Sequence, residues 1–182
     1  MRKVIYSMSI SLDGYISDRQ GNFDWGRPDD ELHQFHNDRV REIGVHLLGR
    51  RLYETMVYWE TAEQDGPVHD EFARIWKDLP KIVFSKSLDT VVGNTKLLRD
   101  GVVDEVSRLK EEPGKDIAVG GPGLASALIE AGLVDEYQVF FNPVVLGGGT
   151  PYFPPVERQI DLELLESRTF SSRVVYVRYG RA

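Results

Sequence analysis

Ile117-Ala118-Val119-Gly120-Gly121-Pro122-Gly123-Leu124 runs from an apolar, β-branched segment into three glycines and out into a new periodicity. Leu124, Leu128, Ile129 and Leu133 then recur at helical spacing. The reading is strand, tight turn, helix. Glycines in such a turn let backbone approach a phosphate, and the helix start supplies oriented N–H groups. Read alone, the glycines serve equally well as a steric device in a strand–helix turn. The spacing is not the dinucleotide fingerprint, because Gly121 and Gly123 fit but Ser126 takes the third place.

The same alternation of strand and helix extends in both directions. Upstream, Val45-His46-Leu47-Leu48-Gly49 is too short for a helix and reads as a buried strand. Arg50 to Trp59 follows as a short helix, and His69 to Leu79 as another, closed by Pro80. Lys81 to Ser85 and Thr95 to Leu98 read as strands, with Val102 to Lys110 helical. At the N-terminus Val4, Tyr6, Met8 and Ile10 alternate with Ser7, Ser9 and Ser11, a strand that Asp13-Gly14 stops. Pro28 opens a helix with Asp29, Asp30 and Glu31 in its first turn, where carboxylates suit the helix dipole. Its inner face carries Leu32, Phe35, Val40 and Ile43, and Gly44 ends it. Downstream, Tyr137 to Leu146 reads as one long strand broken by Gly147-Gly148-Gly149. Leu162 to Phe170 and Val174 to Tyr179 read as a terminal antiparallel hairpin. The order predicts an α/β fold: a mostly parallel sheet covered on both faces, with an antiparallel C-terminal hairpin. Residues 1–182 form one domain, and the long irregular pieces are 11–28 and 147–161.

Composition narrows the function. The chain has 182 residues, 41% hydrophobic and 28% charged, which is ordinary globular usage. Asp and Glu number 29 against 22 Lys and Arg, a net charge of -7. With no basic cluster, duplex nucleic acid is not an expected partner. The absence of cysteine excludes disulfides, thiolate metal sites and a cysteine nucleophile. No apolar run is long enough to span a bilayer. Ser7, Ser9, Ser11 and Asp13 interrupt any signal-peptide core, so the expected location is cytoplasmic. His33 and His36 stand three apart on one helix, a metal-compatible spacing, but no third ligand accompanies them and no metal is expected.

Two further strand exits carry candidate anion ligands. Arg50 and Arg51 follow Gly49 at a helix start, where paired N–H donors suit a phosphate; as surface residues they would simply solvate the turn. Ser85, Lys86 and Ser87 place hydroxyls and a cation at the next exit. Ligands bind at the carboxyl edge of open parallel sheets, and three polar exits on one edge agree better than any one.

In this order the motifs resemble the dihydrofolate reductase-like three-layer fold, and most closely the RibD C-terminal (riboflavin biosynthesis reductase) domain family. Ser11-Leu12-Asp13-Gly14-Tyr15-Ile16, Gly49-Arg50-Arg51-Leu52-Tyr53-Glu54, Ile82 to Ser87, Gly120-Gly121-Pro122-Gly123, Leu133-Val134-Asp135-Glu136 and Pro143 to Gly149 with Phe153 carry the likeness over nearly the whole chain. It implies an NADPH-dependent oxidoreductase. The positions matching cofactor contacts are Gly49, Arg50, Arg51, Ser85, Lys86, Gly120, Gly121, Gly123 and Leu124. Leu52 departs from the pattern, standing where these enzymes usually carry a threonine hydroxyl.

Trp25, Pro28 and Asp30 are similar to the Trp-x-x-Pro-x-Asp segment of dihydrofolate reductases, whose carboxylate grips the pterin and assists protonation. The resemblance therefore offers Asp13 and Asp30 as catalytic acids, and Trp25 and Tyr53 as groups against a flat ring. Each acid has a structural alternative, Asp13 as a turn residue and Asp30 as helix-terminal charge. The implied substrate is a small nitrogen heterocycle, pterin-like or 5-amino-6-(5-phosphoribosylamino)uracil-like. A nucleotide-binding protein without turnover would use the same fold and many of the same residues. Exposed terminal strand edges and the apolar run Tyr137 to Leu146 predict a homodimer.

Overall fold

The computed structural model describes residues 1–63 and 65–182. Strand β1 is Val4–Ser11 and β2 is Tyr15–Ser17, followed by a 3-10 turn at Asp24–Gly26. Then come α1 Asp30–Arg41, β3 Ile43–Gly49, α2 Arg50–Met56, α3 Tyr58–Thr61 and α4 Pro67–Asp78. β4 Lys81–Phe84, β5 Thr95–Leu98, α5 Val102–Glu111, β6 Asp116–Gly120 and α6 Pro122–Glu130 complete the alternating part. β7 Glu136–Asn142, β8 Thr150–Pro151, β9 Leu162–Thr169 and β10 Val175–Arg181 end the chain.

Eight strands form one sheet in the order β5-β4-β3-β6-β1-β7-β10-β9. The first six are parallel to one another, and β10 is antiparallel to both β7 and β9. The predicted α/β sheet with an antiparallel hairpin is what the chain builds. Within the parallel part the path turns back once: β3, β4 and β5 run outward from β1, and β6 then slots between β3 and β1. Right-handed crossovers place helices on opposite faces when the direction reverses. Accordingly α5 and α6 pack with Val4, Tyr6, Val45, Leu47, Ile117 and Val119 on one face. The other face carries α2 and α4, through Tyr53, Phe72 and Trp76 against Leu48 and Val83. α1 sits beside them, with Leu32 among Phe140, Phe170 and Tyr176. Burying such side chains stabilises the fold by about 1.5–3 kcal/mol each.

Several sequence boundaries shift. The run from Tyr137 stops being strand at Asn142, where Asn142 Nδ2 turns back to the carbonyls of Ile10 and Phe140 at 3.2 and 3.1 Å. β7 also lies inside the sheet between β1 and β10, so it offers no edge. Gly44 does not end α1 but lies within β3, which begins at Ile43; the helix closes at Glu42, whose N–H meets Arg39 O and Val40 O. The stretch from Arg50 to Trp59 is two short helices, and the next helix starts at Pro67. Inside the expected loops, β2 and β8 pair in a small second sheet. There Gly149 is indispensable: at φ +141 an added Cβ would lie 1.9 Å from Ser17 O.

Candidate functional site

The reversal of path decides where the cleft forms. β3 leaves at Gly49 toward α2 on one face, and its neighbour β6 leaves at Gly120 toward α6 on the other. Adjacent exits that part in opposite directions open a crevice at the carboxyl edge. Gly49, Gly120, Gly121, Gly123 and Leu124 meet there: a Cβ on Gly49 would lie 4.0 Å from Leu124 Cγ. Gly121 holds φ +97, and neither it nor Gly123 has anything within 4 Å of a would-be Cβ. The turn is therefore open above its backbone.

Helix starts distinguish this edge from the rest of the molecule. α1, α3, α4 and α5 each carry Asp or Glu in the first turn. α2 and α6, the two that begin at the crevice, carry none and have no side-chain cap. Their N–H groups and the positive dipole end are left for an anion. Arg50 and Arg51 add positive charge at the first of these starts. Arg50 Nη1 reaches Ser87 Oγ at 2.8 Å and its Nε reaches Glu54 at 2.8 Å. Ser85 Oγ accepts from the N–H groups of Ser87 and Leu88 at 3.3 and 3.1 Å. Lys86 is exposed at the tip of that loop. Arg99, which the sequence reading passed over, leaves β5 beside it and donates to Ser85 O at 3.2 Å and to Leu88 O.

Leu52 explains Gly120. A Cβ there would sit 2.2 Å from Leu52 Cδ2 and 3.1 Å from His46 Nε2. The leucine that replaces the expected hydroxyl thus packs down onto the strand end.

Below the crevice a cavity of about 510 Å³ runs between the sheet and α1. Leu52, Met56 and Gly120 line it at the carboxyl edge, so it abuts the glycine turn. Its floor sets polar groups, Ser7 and Ser9 of β1 and Gln138 of β7, among the apolar Ile5, Ala118 and Phe140, with Ser7 and Gln138 paired in register. His33 and His36 of α1 and His46 of β3 also border it, with Trp59, Phe72 and Trp76. Burial holds His36 and His46 down to about 4, helped by the charges of His33 and Lys81 respectively. His33 is lowered by burial too, opposed by its hydrogen bond to Asn37. All three rings are neutral near pH 7. Lys3, Glu42, Asp116, Glu136 and Arg178 line the far, amino-edge end.

Four residues picked for substrate contact do not line this cavity. Asp13 is exposed, accepting from Ser11 Oγ at 2.7 Å and from the N–H groups of Leu146 and Gly147 at 3.1 and 2.7 Å. These bonds, the Ser11 hydroxyl foremost, hold its carboxyl below the usual range. It ties the β1 exit to the glycine loop. Asp30 is exposed as the first residue of α1 and does not line the cavity. Tyr53 is 7% exposed in the α4 core, and its hydroxyl accepts from Val92 N at 3.0 Å. Trp25 sits in the 3-10 turn, next to Gly26, whose would-be Cβ is 3.8 Å from Ser9 Cβ; its indole Nε1 is buried without a partner. No cluster of three metal-ligating side chains occurs among the described residues.

One signal for the cavity was present in the sequence. A central parallel strand covered on both faces should be continuously apolar. β1 is such a strand, yet it carries serine at alternate positions, which marks a face that lines a hollow rather than a packed core.

The three-layer sheet with its glycine crevice and sub-helical cavity defines a dihydrofolate reductase-like α/β protein. The chain belongs to the RibD C-terminal domain family, which it matches over residues 2–176. It is 33% identical over 179 residues to YyaP of Bacillus subtilis, covering 98% of this chain and 94% of that protein. A structure assigned to riboflavin biosynthesis from Shewanella sp. PV-4 superposes with a TM-score of 0.79 at 20% identity, covering 100% and 99% of the two chains. Dihydrofolate reductase of Enterococcus faecalis, solved with NADP(H), superposes at 0.66 with 18% identity over 98% and 96%. Among the described residues no helix is long and apolar enough to cross a membrane.

Proposed function

We propose that the protein is an NADPH-dependent reductase of a small, flat nitrogen heterocycle. The observation that supports the reading is the contact between its two hollows: the glycine crevice shares Gly120 and Leu52 with the cavity that holds Ser7, Ser9 and Gln138. The residues fit the cofactor. Gly121 and Gly123 leave room for backbone approach, and the acid-free starts of α2 and α6 would hold a pyrophosphate. Arg50, Lys86 and the serines of the 85–87 loop would meet the phosphate that distinguishes NADPH from NADH. The nicotinamide supplies hydride, and the protein supplies binding and orientation. Ser7, Ser9 and Gln138 would hydrogen-bond the ring from below, with Trp59 and Met56 as apolar wall.

The test is cofactor selectivity. Dissociation constants for NADPH and NADH are measured by calorimetry for wild type, Arg50→Ala, Lys86→Ala and Gly121→Val. Each cation variant is expected to weaken NADPH roughly ten- to hundredfold and leave NADH little changed. The loss should be steeper at low salt, where exposed charges are screened less. Gly121→Val should weaken both cofactors alike. Equal losses for both cofactors in Arg50→Ala would move that arginine to the pyrophosphate. No cofactor binding by the wild type would remove the reductase reading.

A further inference from the structure

His33 is held in one tautomer by a chain of fixed groups. Its ring is 6% exposed on the inner side of α1, and Nδ1 lies 3.1 Å from Asn37 Oδ1. Asn37 is fully buried, and its Nδ2 donates to Val68 O at 3.0 Å and to Glu71 Oε2 at 2.8 Å. Both partners only accept, so the amide cannot be turned round, and its oxygen must face the imidazole. Glu71 is anchored in turn by Gln34 Nε2 at 2.8 Å and by Arg41. An amide oxygen cannot donate, so His33 carries its proton on Nδ1. A neutral imidazole has one N–H, which leaves Nε2 as a bare lone pair. No partner for Nε2 exists among the described residues, and the ring borders the cavity.

Two charged groups act on this ring and oppose each other: His69 disfavours its protonation and Asp30 favours it, both less than burial does. On its own helix the neighbours are Asp30, exposed one turn earlier, and the neutral His36. α4 presents the His69 ring at 4.7 Å, Phe72 at 5.3 Å, and Glu71 behind Asn37; α3 presents Trp59 at 5.5 Å. The sheet contributes Ser7, Ser9, Gln138 and the neutral His46; of the cavity's carboxylates, Glu136 is two residues before Gln138 on β7 and is paired with Lys3 and Arg178, while Glu42 and Asp116 line the amino edge.

We propose, building on the reductase reading, that His33 Nε2 is the acceptor with which the cavity reads an N–H of its ligand. The site therefore selects uncharged rings with a donor edge, such as pyrimidine- or pteridine-diones, over amidinium rings. A cationic ring would enter among three neutral imidazoles, beside a Glu136 carboxylate already paired with Lys3 and Arg178, which is costly in a desolvated site. A ring methylated at the donor nitrogen would leave a buried acceptor unspent, and sites built around such a bond reject the analogue that lacks it.

Two measurements on the apo protein test this. Nitrogen-15 NMR of labelled histidine should report His33 as the Nδ1–H tautomer at pH 7; an Nε2–H signal overturns the proposal without any variant. Fluorescence titration then compares pteridine-2,4-dione, its N1- and N3-methyl derivatives, and pteridine-2,4-diamine. The dione should bind at least tenfold tighter than the diamine and than one of the methylated rings. His33→Leu should lose about tenfold in dione affinity, the worth of one neutral hydrogen bond, and erase the difference between methylated and unmethylated rings. Preference for the diamine, no binding of the dione, or unchanged affinity in His33→Leu would each overturn it. Neither readout involves NADPH. Failure of the reductase reading shows separately, as absent cofactor binding while tautomer and ring preference persist.

Discussion

Gly120 and Leu52 act as one unit. A methyl group on Gly120 overlaps the end of the Leu52 side chain, which lies where a Cβ would be 2.2 Å away, and crowds His46. Gly120→Ala should therefore destabilise the protein by about 1–3 kcal/mol through overpacking. Leu52→Ala removes the obstacle, so Gly120→Ala made in that background should cost far less. Urea unfolding of the four proteins in the cycle checks the coupling. Asp13 calls for a different measurement, because its bonds are exposed and organise a loop. Asp13→Ala should raise hydrogen exchange at Leu146 and Gly147 while leaving the sheet core protected. The Asp13 carboxyl is lowered in the folded state, so the latch is in place at neutral pH. It should loosen only as the pH falls through that lowered value. At this scale the sequence showed which residues were chemically able to act. It did not show that Tyr53 spends its hydroxyl on Val92 or that Asp13 spends its carboxylate on a loop. Those partners are 39 and 134 residues away, and no local pattern records them.

Elements differ in how much tertiary support they need. α3 is tied to the start of β4 and the end of α4 by a buried ion pair: Lys81 Nζ lies 3.0 Å from Glu60 Oε1 and donates to Trp76 O and Leu79 O at 2.5 and 2.9 Å. The Lys81 side chain is 1% exposed. Burial lowers its affinity for a proton and Glu60 restores part of it. Glu60→Ala leaves that ammonium without its counter-charge and should cost about 3–5 kcal/mol, read as a drop in the urea midpoint. The matched pair Glu60→Leu with Lys81→Met should recover much of the loss. Helix starts were legible in a simpler way. Carboxylates open α1, α3, α4 and α5, whereas arginines or none at all open α2 and α6. The residues are visible in the chain alone, but the separate start of α3, inside the expected helix from Arg50 to Trp59, comes from the structure.

For the molecule as a whole, the buried histidines set a pH window. His36 and His46 sit near 4 in the folded state, against 6.5 unfolded. Between those values the unfolded chain binds protons that the folded chain refuses, so stability should rise with pH from about 4 to 6.5 and level off above. Each ring contributes at most about 3 kcal/mol, less where cavity water solvates an imidazolium. Unfolding midpoints across pH 4–8 measure the slope, and replacing His46 by Gln should flatten it. On the proposed reductase reading, NADPH at a hundred times its dissociation constant should add about 2.7 kcal/mol, raising the melting temperature by roughly 5–10 °C. Self-association, if it follows strand edges, falls to β9, which is outermost and exposes Leu164 and Leu165. Light scattering at micromolar concentration is expected to report a dimer, and charged substitutions at those leucines to shift it toward monomer.

The sequence by itself determined the succession of strands and helices, the parallel sheet and its antiparallel end, because period-two and period-3.6 patterns and glycine turns are local properties. It also determined which strand exits carry glycine, arginine, lysine and serine, since these lie within a few residues of each strand end. Only the tertiary structure decided that β6 inserts between β3 and β1, which turns separate exits into one crevice. It alone decided that Ser7, Gln138 and His46 from three strands and His33 and His36 from one helix face one hollow. Proton placement on His33 depends on Asn37, Val68 and Glu71, groups brought together by packing of α1 on α4. Side-chain chemistry is written residue by residue, but the hydrogen-bond partner that fixes its state comes from wherever the fold delivers it.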